Sequence, residues 1–142
     1  SCSTYFLRLR GGTLSRSNVC NSAVRCRYGN LTELNISVNE ISQLPIVLKE
    51  VAHQLRVVVL SNNRFTKFPT NVFRDMPELR RMQFNGNLLT EFGFLNAKRL
   101  TDFVLSSNRI RNLGNIADCR SLRTLQVRTL LAHQPFSSVA RP

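Results

Sequence analysis

The sequence has few acidic residues, and that shortage sets its charge. Eight Asp and Glu oppose twenty Lys and Arg, which gives a formal net charge of +12 at pH 7. No run approaches the roughly 18 apolar residues that a membrane-spanning helix needs. With 42% hydrophobic and 20% charged residues, the composition is typical of a folded chain and not of a disordered one.

Catalytic motifs are absent as well. The sequence contains no phosphate-binding glycine loop, no His-Glu-x-x-His, no Gly-x-Ser-x-Gly and no calcium-binding loop. The two histidines, His53 and His133, are paired with no evident nucleophile, so we interpret both as solvated or half-packed side chains. We therefore expect no enzymatic activity, no metal and no other cofactor.

Cysteine usage leaves the cellular compartment open. Cys2, Cys20 and Cys26 lie near the start of the chain, and no Cys-x2-Cys pair suggests a zinc site. One disulfide among these three and a fully reduced chain are both compatible with the count. Two glycosylation sequons, at Asn30 and Asn35, fit an extracellular protein, whereas the unfamiliar cysteine spacing and the basic charge fit an intracellular or organelle-matrix protein.

A repeated pattern organises the chain from residue 31 to residue 127. Each copy reads Leu-x-x-Leu-x-Leu-x-x-Asn with conservative apolar replacements, and successive copies begin 24, 24, 21 and 22 residues apart. The copies begin at Leu31, Leu55, Leu79, Leu100 and Leu122. The first four carry the asparagines Asn39, Asn63, Asn87 and Asn108, and the fifth has Leu130 at that position.

This pattern resembles the leucine-rich-repeat family, with mixed 24-residue and 21/22-residue repeats. The resemblance implies an α/β-type repeat solenoid. Its concave face would be a parallel β-sheet, and its convex face would hold short turns, 3-10 or helical segments. The spacing agrees, because parallel strands need a return connection of about a dozen residues or more.

Each position in the repeat has a physical reason. Residues of a short strand alternate between two faces, so the paired apolar residues should point into the core. These pairs are Leu34/Ile36, Val58/Leu60, Met82/Phe84, Phe103/Leu105 and Leu125/Val127. An Asn side chain has two donors and an acceptor, which can satisfy backbone groups of adjacent coils. We therefore predict a structural ladder of Asn39, Asn63, Asn87 and Asn108.

The return segments differ in kind. Val72-Phe73 is predicted to close the convex side of a 24-residue coil. From Ile110 to Leu122 an apolar residue recurs every third position, which favours a 3-10-like back. Cys119 falls at one of these positions, so we expect it to be a small buried hydrophobe.

The ends are assigned separately because a solenoid must cover its terminal coils. We predict an N-terminal cap or basic arm over residues 1–30, repeats over 31–127, and a C-terminal cap or truncated end over 128–142. Within the first segment, residues 5–9 are candidates for the cover and residues 23–28 for an extra strand.

The resemblance further implies a non-catalytic module that binds another protein on its concave strands. Aligned repeats place a small, polar and partly apolar centre beside an Arg-bearing edge, which suits a partner with acidic groups. The candidate partner-binding residues are Arg56, Val57, Val59, Arg80, Arg81, Gln83, Asn85, Asp102, Val104, Arg123 and Gln126.

A second basic surface keeps an alternative open. Residues 1–30 hold five arginines and no acid, namely Arg8, Arg10, Arg16, Arg25 and Arg27. They suit phosphate contact, so the alternative function is a basic structural subunit of a large, possibly ribonucleoprotein, assembly. Nucleic acid is then a possible partner, through this arm.

Overall fold

The computed structural model describes residues 4–6, 31–44, 46–114, 116 and 118–128. Six three-residue strands form one sheet in the order β1-β2-β3-β4-β5-β6. They are β1 (Thr4–Phe6), β2 (Glu33–Asn35), β3 (Val57–Val59), β4 (Arg81–Gln83), β5 (Asp102–Val104) and β6 (Thr124–Gln126). A 3-10 helix (Ile46–Leu48) and the short helix α1 (Lys49–Ala52) lie on the return between β2 and β3.

Every strand pair is parallel and in the register that the repeat alignment gives. Leu34 stands opposite Val58, Val58 opposite Met82, Met82 opposite Phe103, and Phe103 opposite Leu125. Each coil therefore adds one strand beside the last and returns behind the sheet. The predicted leucine-rich-repeat solenoid is confirmed.

The inward-pointing residues build a single core. The predicted pairs of the first four repeats are at most 2% exposed. Phe68 packs on Phe92 with ring centroids 4.5 Å apart, and Phe92 packs on Phe103 at 5.2 Å. In the fifth repeat Leu125 and Val127 are only partly buried, because the described part of the chain holds no strand beyond β6.

The backs of the coils match the two kinds of return segment. Val72 and Phe73 are 2% and 0% exposed. Ile110, Leu113, Ile116 and Cys119 are likewise buried at three-residue intervals. Burial raises the pKa of the Cys119 thiol above its ordinary value, an effect that the charge of Asp118 reinforces and a hydrogen bond from the Ala97 backbone opposes.

The sheet begins earlier than the repeat pattern indicates. Strand β1 lies within the segment assigned to the N-terminal cap, and it pairs with β2 through Thr4–Glu33 and Phe6–Asn35. The repeat pattern did not predict this strand, because Thr4 and Glu33 are 29 positions apart, a longer spacing than between any other two paired strands. The extra strand predicted at residues 23–28 lies outside the described residues.

The four repeat asparagines bond within their own coils, and Asn63, Asn87 and Asn108 also bond to the preceding coil. Each is buried, and each donates its amide to the carbonyl three residues earlier in its own coil. Asn63 also donates to Ile36 O in the preceding coil, at 2.9 Å, and accepts the N–H of Ile41. Asn87 and Asn108 repeat both bonds one and two coils later.

A left-handed residue precedes each of these asparagines. Val38, Asn62 and Ser107 have φ near 57°, and Gly86 has φ of 70°. This backbone conformation turns the chain away from the sheet so that the next side chain enters the core edge. Only Gly86 adopts it without a steric penalty.

Candidate partner-binding face

The outward-pointing strand residues form two parallel columns. Register places Val57, Arg81, Asp102 and Thr124 in the first column and Val59, Gln83, Val104 and Gln126 in the second. Adjacent members of a column are about 4.8 Å apart, the spacing of paired strands. All are half-buried except Arg81 and Gln126, which are exposed. The centre of the face is thus a close mixture of valine methyls, amides and one guanidinium.

An arginine row, defined as Arg56, Arg80 and Arg123, borders the first column at the amino-terminal ends of the strands. Backbone bonds fix its spacing: Arg56 N donates to Thr32 O, Arg80 N to Arg56 O, Thr101 N to Arg80 O, and Arg123 N to Thr101 O, at 2.7 to 2.9 Å. All three side chains are exposed. The row therefore carries one charge beside each of β3, β4 and β6, with the neutral Thr101 in the gap at β5.

Hydroxyl and amide groups border the second column on the opposite side. Ser61 donates its hydroxyl to Oδ1 of Asn85 over 2.6 Å, and Ser61 itself is buried. Ser37 donates both its N–H and its hydroxyl to Oδ1 of Asn35. Asn85 is held in place by its neighbouring coil, so it presents a fixed amide to a partner.

The charged side chains of the two columns and of the arginine row form no described ion pair. Within the described ranges the ion pairs are Arg64–Glu40 and Arg99–Glu78, and both lie away from the two columns. Arg81 and Asp102 are neighbours in register but form no ion pair. Instead Thr101 donates its hydroxyl to Asp102 Oδ2 over 2.8 Å, which draws that carboxylate towards the row.

The return segments have fewer features of a binding site than the strand face. An open cleft between two coils is lined by Asp75, Glu78, Asn96 and Lys98 among others. Its charged groups are mostly paired internally, since Asn96 bonds to Asp75 and Arg99 to Glu78. In the residues that the structure describes, no three His, Cys, Asp or Glu side chains cluster to hold a metal, and no helix is long and apolar enough to cross a membrane.

All eleven candidate partner-binding residues are described, and the sheet brings them onto one face. The five arginines of the second basic surface, Arg8, Arg10, Arg16, Arg25 and Arg27, lie outside the described residues. Sequence reasoning missed the hydroxyl bond from Thr101 to Asp102 and the bond from Ser61 to Asn85. Repeat alignment predicts that these residues are neighbours, but it does not predict how their side chains are oriented.

Comparison with known proteins agrees with this architecture. The family model described as leucine rich repeat matches residues 53–110. The chain is similar to keratocan of Danio rerio, 26% identical over 92 residues, and to adenylate cyclase of Schizosaccharomyces pombe, 28% identical over 145 residues. These alignments cover 62% and 94% of this chain but 26% and 8% of the two relatives, so the chain spans only a small part of either.

Proposed function

We propose that this chain, whose residues 53–110 match the leucine-rich-repeat model, is a non-catalytic module that binds another protein on the concave strand face. The observation that carries this proposal is the pair of in-register columns on β3 to β6, with half-buried valines beside an exposed guanidinium. Protein interfaces favour such a mixture, in which apolar contacts exclude water and arginine supplies a directional contact.

The charge balance of the face supports a partner with acidic groups. Arg56, Arg80, Arg81 and Arg123 are exposed and have no described carboxylate in ion-pair contact. Arginine binds carboxylates through two parallel N–H···O bonds, which lysine cannot do. The absence of an exposed aromatic side chain in the described part of this face argues against single-stranded bases stacking there.

The described residues give no support for catalysis. In the described part of the chain, His53 is exposed on the return after α1 and makes no hydrogen bond to a nucleophile, while Cys119 is buried with a raised pKa. A thiol held protonated is a poor nucleophile. The name adenylate cyclase belongs to a relative of which this chain matches 8%, and we propose no transfer of that activity.

The test is a double substitution in the centre of the face. Immobilised wild-type protein and the variant Arg81→Glu with Gln83→Ala would each capture proteins from the native source, with mass spectrometry as readout. We expect the variant to lose the specific partner while circular dichroism and Tm remain unchanged, because both side chains point away from the core.

The matched control is Arg109→Glu with Thr90→Ala, which makes the same charge change at two exposed residues outside the columns. This control should retain the partner. If the face variant retains it too, the concave face is not the binding site.

A further inference from the structure

We propose that the arginine row binds an acidic tract of the partner, a short run of Asp and Glu side chains that crosses β3 to β6 at their amino-terminal ends. The inference rests on the proposed function and adds the chemical character of the bound segment. It starts from the geometry of Arg56, Arg80 and Arg123, whose backbone atoms lie in one line because each coil bonds to the carbonyl of the last.

The row has the length of a short peptide. Arg56 and Arg123 are three strand spacings apart, or about 14 Å. An extended polypeptide rises about 3.4 Å per residue, so roughly four or five residues of a partner would span the row. Arg56 and Arg80 occupy adjacent strands, where like charges repel, and an anionic segment between them would relieve that repulsion.

An acid of the first column, Asp102, lies beside the gap in the row, and its charge favours a polypeptide over a nucleic acid. Between Arg80 and Arg123 the position belongs to Thr101, whose hydroxyl holds the Asp102 carboxylate at 2.8 Å. The row therefore has positive charge on β3, β4 and β6 and a neutral threonine on β5, with the negative charge of Asp102 bonded beside it. A phosphate backbone carries a charge at every nucleotide and would meet Asp102 with repulsion. A polypeptide can place a neutral residue there.

The preference for arginine agrees with this assignment. Seventeen of the twenty basic residues in the chain are Arg, and all three basic positions of the row are Arg. The planar guanidinium gains most from flat carboxylates that it can contact with two nitrogens. The row also lies beside Val57 of the first column, so aliphatic residues of the same partner segment would have an apolar contact within reach.

The test measures binding of labelled probes to the full chain by fluorescence anisotropy near physiological salt. The probes are an all-glutamate peptide, the same peptide with a central Gln pair, and a short oligouridylate. We expect the interrupted peptide to bind more tightly than the all-glutamate peptide. Replacing Arg56 and Arg80 by Gln should weaken peptide binding on the order of fivefold, the range measured for exposed charge pairs.

Two further variants make the result specific. Arg109→Gln with Arg111→Gln removes the same charge from two exposed residues off the row and should change peptide affinity less than twofold, as screened charges do. Asp102→Asn should tighten the all-glutamate peptide while leaving the interrupted peptide almost unchanged.

Equal losses in the row variant and the control variant would overturn the proposal, since they would show non-specific attraction. Tighter binding of oligouridylate than of either peptide would also overturn it. Neither result bears on the proposed function, which depends on loss of the native partner by Arg81→Glu with Gln83→Ala.

Discussion

Ile41 donates its backbone N–H to Oδ1 of Asn63 in the next coil, over 3.1 Å. The same Asn63 donates its amide back to Ile36 O at 2.9 Å and to Leu60 O at 3.0 Å. One buried side chain thus bonds to backbone groups on two coils, and it shares the Ile36 carbonyl with Asn39 and the Leu60 carbonyl with Asn87. Because coils of a solenoid contact only their neighbours, such bonds determine how firmly each coil holds the next.

Replacing Asn63 by Ala should lower the free energy of unfolding by about 1 to 3 kcal/mol, because the buried N–H of Ile41 loses its partner and two carbonyls each lose one of their two amide donors. Urea unfolding followed by circular dichroism measures the change. Asn71→Ala is the control: Asn71 is exposed on a return segment, and its replacement should cost less than about 0.5 kcal/mol. Similar losses at both positions would contradict the ladder.

Val38→Asn should stabilise the protein by about 1 kcal/mol. Val38 is a β-branched residue at φ 57°, where it is strained, and its side chain is 59% exposed, so little packing is lost. Asn62 already occupies the equivalent position of the next coil. Thermal unfolding provides the measurement.

The reverse change supplies the comparison. Gly86→Val places a side chain at φ 70° and against the Asn62 side chain, so it should destabilise by more than Val38→Asn stabilises. If both substitutions leave Tm unchanged, the left-handed turn does not limit stability.

Phe92→Leu should destabilise by about 1 to 3 kcal/mol, because two aromatic pairs worth about 0.5 to 1.5 kcal/mol each are lost. Phe92 contacts Phe68 on one side and Phe103 on the other. A double-mutant cycle with Phe103→Leu isolates one pair, and we expect a positive coupling energy. Phe94→Leu is the control, since Phe94 is only half-buried and packs under Arg74. A coupling energy of zero would show that the two rings stabilise the fold only through the apolar area that each one buries.

Alkaline pH should weaken the wild type through Cys119. Burial raises the pKa of this thiol in the folded state, so above about pH 9 the unfolded chain releases a proton that the folded chain retains. The folded state then binds more protons, and stability falls as the pH rises from there. Below about pH 9 the thiol is protonated in both the folded and the unfolded state, so it has no pH-dependent effect on stability.

The measurement is the difference in unfolding free energy between wild type and Cys119→Ala at neutral pH and near pH 10. The wild-type advantage should shrink with rising pH. A difference that is constant with pH would indicate that the thiol is not desolvated.

Much of this architecture can be predicted from periodicity alone. Residues that alternate along Leu34-Asn35-Ile36 must point to opposite faces of a strand, and a return of this length is long enough for a parallel neighbour. Register then follows from aligning the repeats, so the columns through Arg81 and Gln83 could be written down from the sequence. The buried position of Cys119 follows in the same way, from a three-residue spacing.

Other features are decided only when the coils are stacked. Strand β1 joins the sheet although 29 residues separate Thr4 from Glu33, because backbone pairing with β2 does not require a fixed return length. Val38 adopts a left-handed turn that its own preference opposes, because the position must match Asn62 and Gly86 in the following coils.

The charge pattern of the face also depends partly on the sequence and partly on the tertiary structure. The sequence by itself determined which residues share a column, since period and alternation leave no choice. Only the tertiary structure decided that Asp102 bonds to Thr101 and not to Arg81, its neighbour in register, because side-chain rotamers depend on the packing of neighbouring coils. That choice leaves Arg81 and the arginine row without a described acidic partner, which is the basis for the acidic partner segment that we propose.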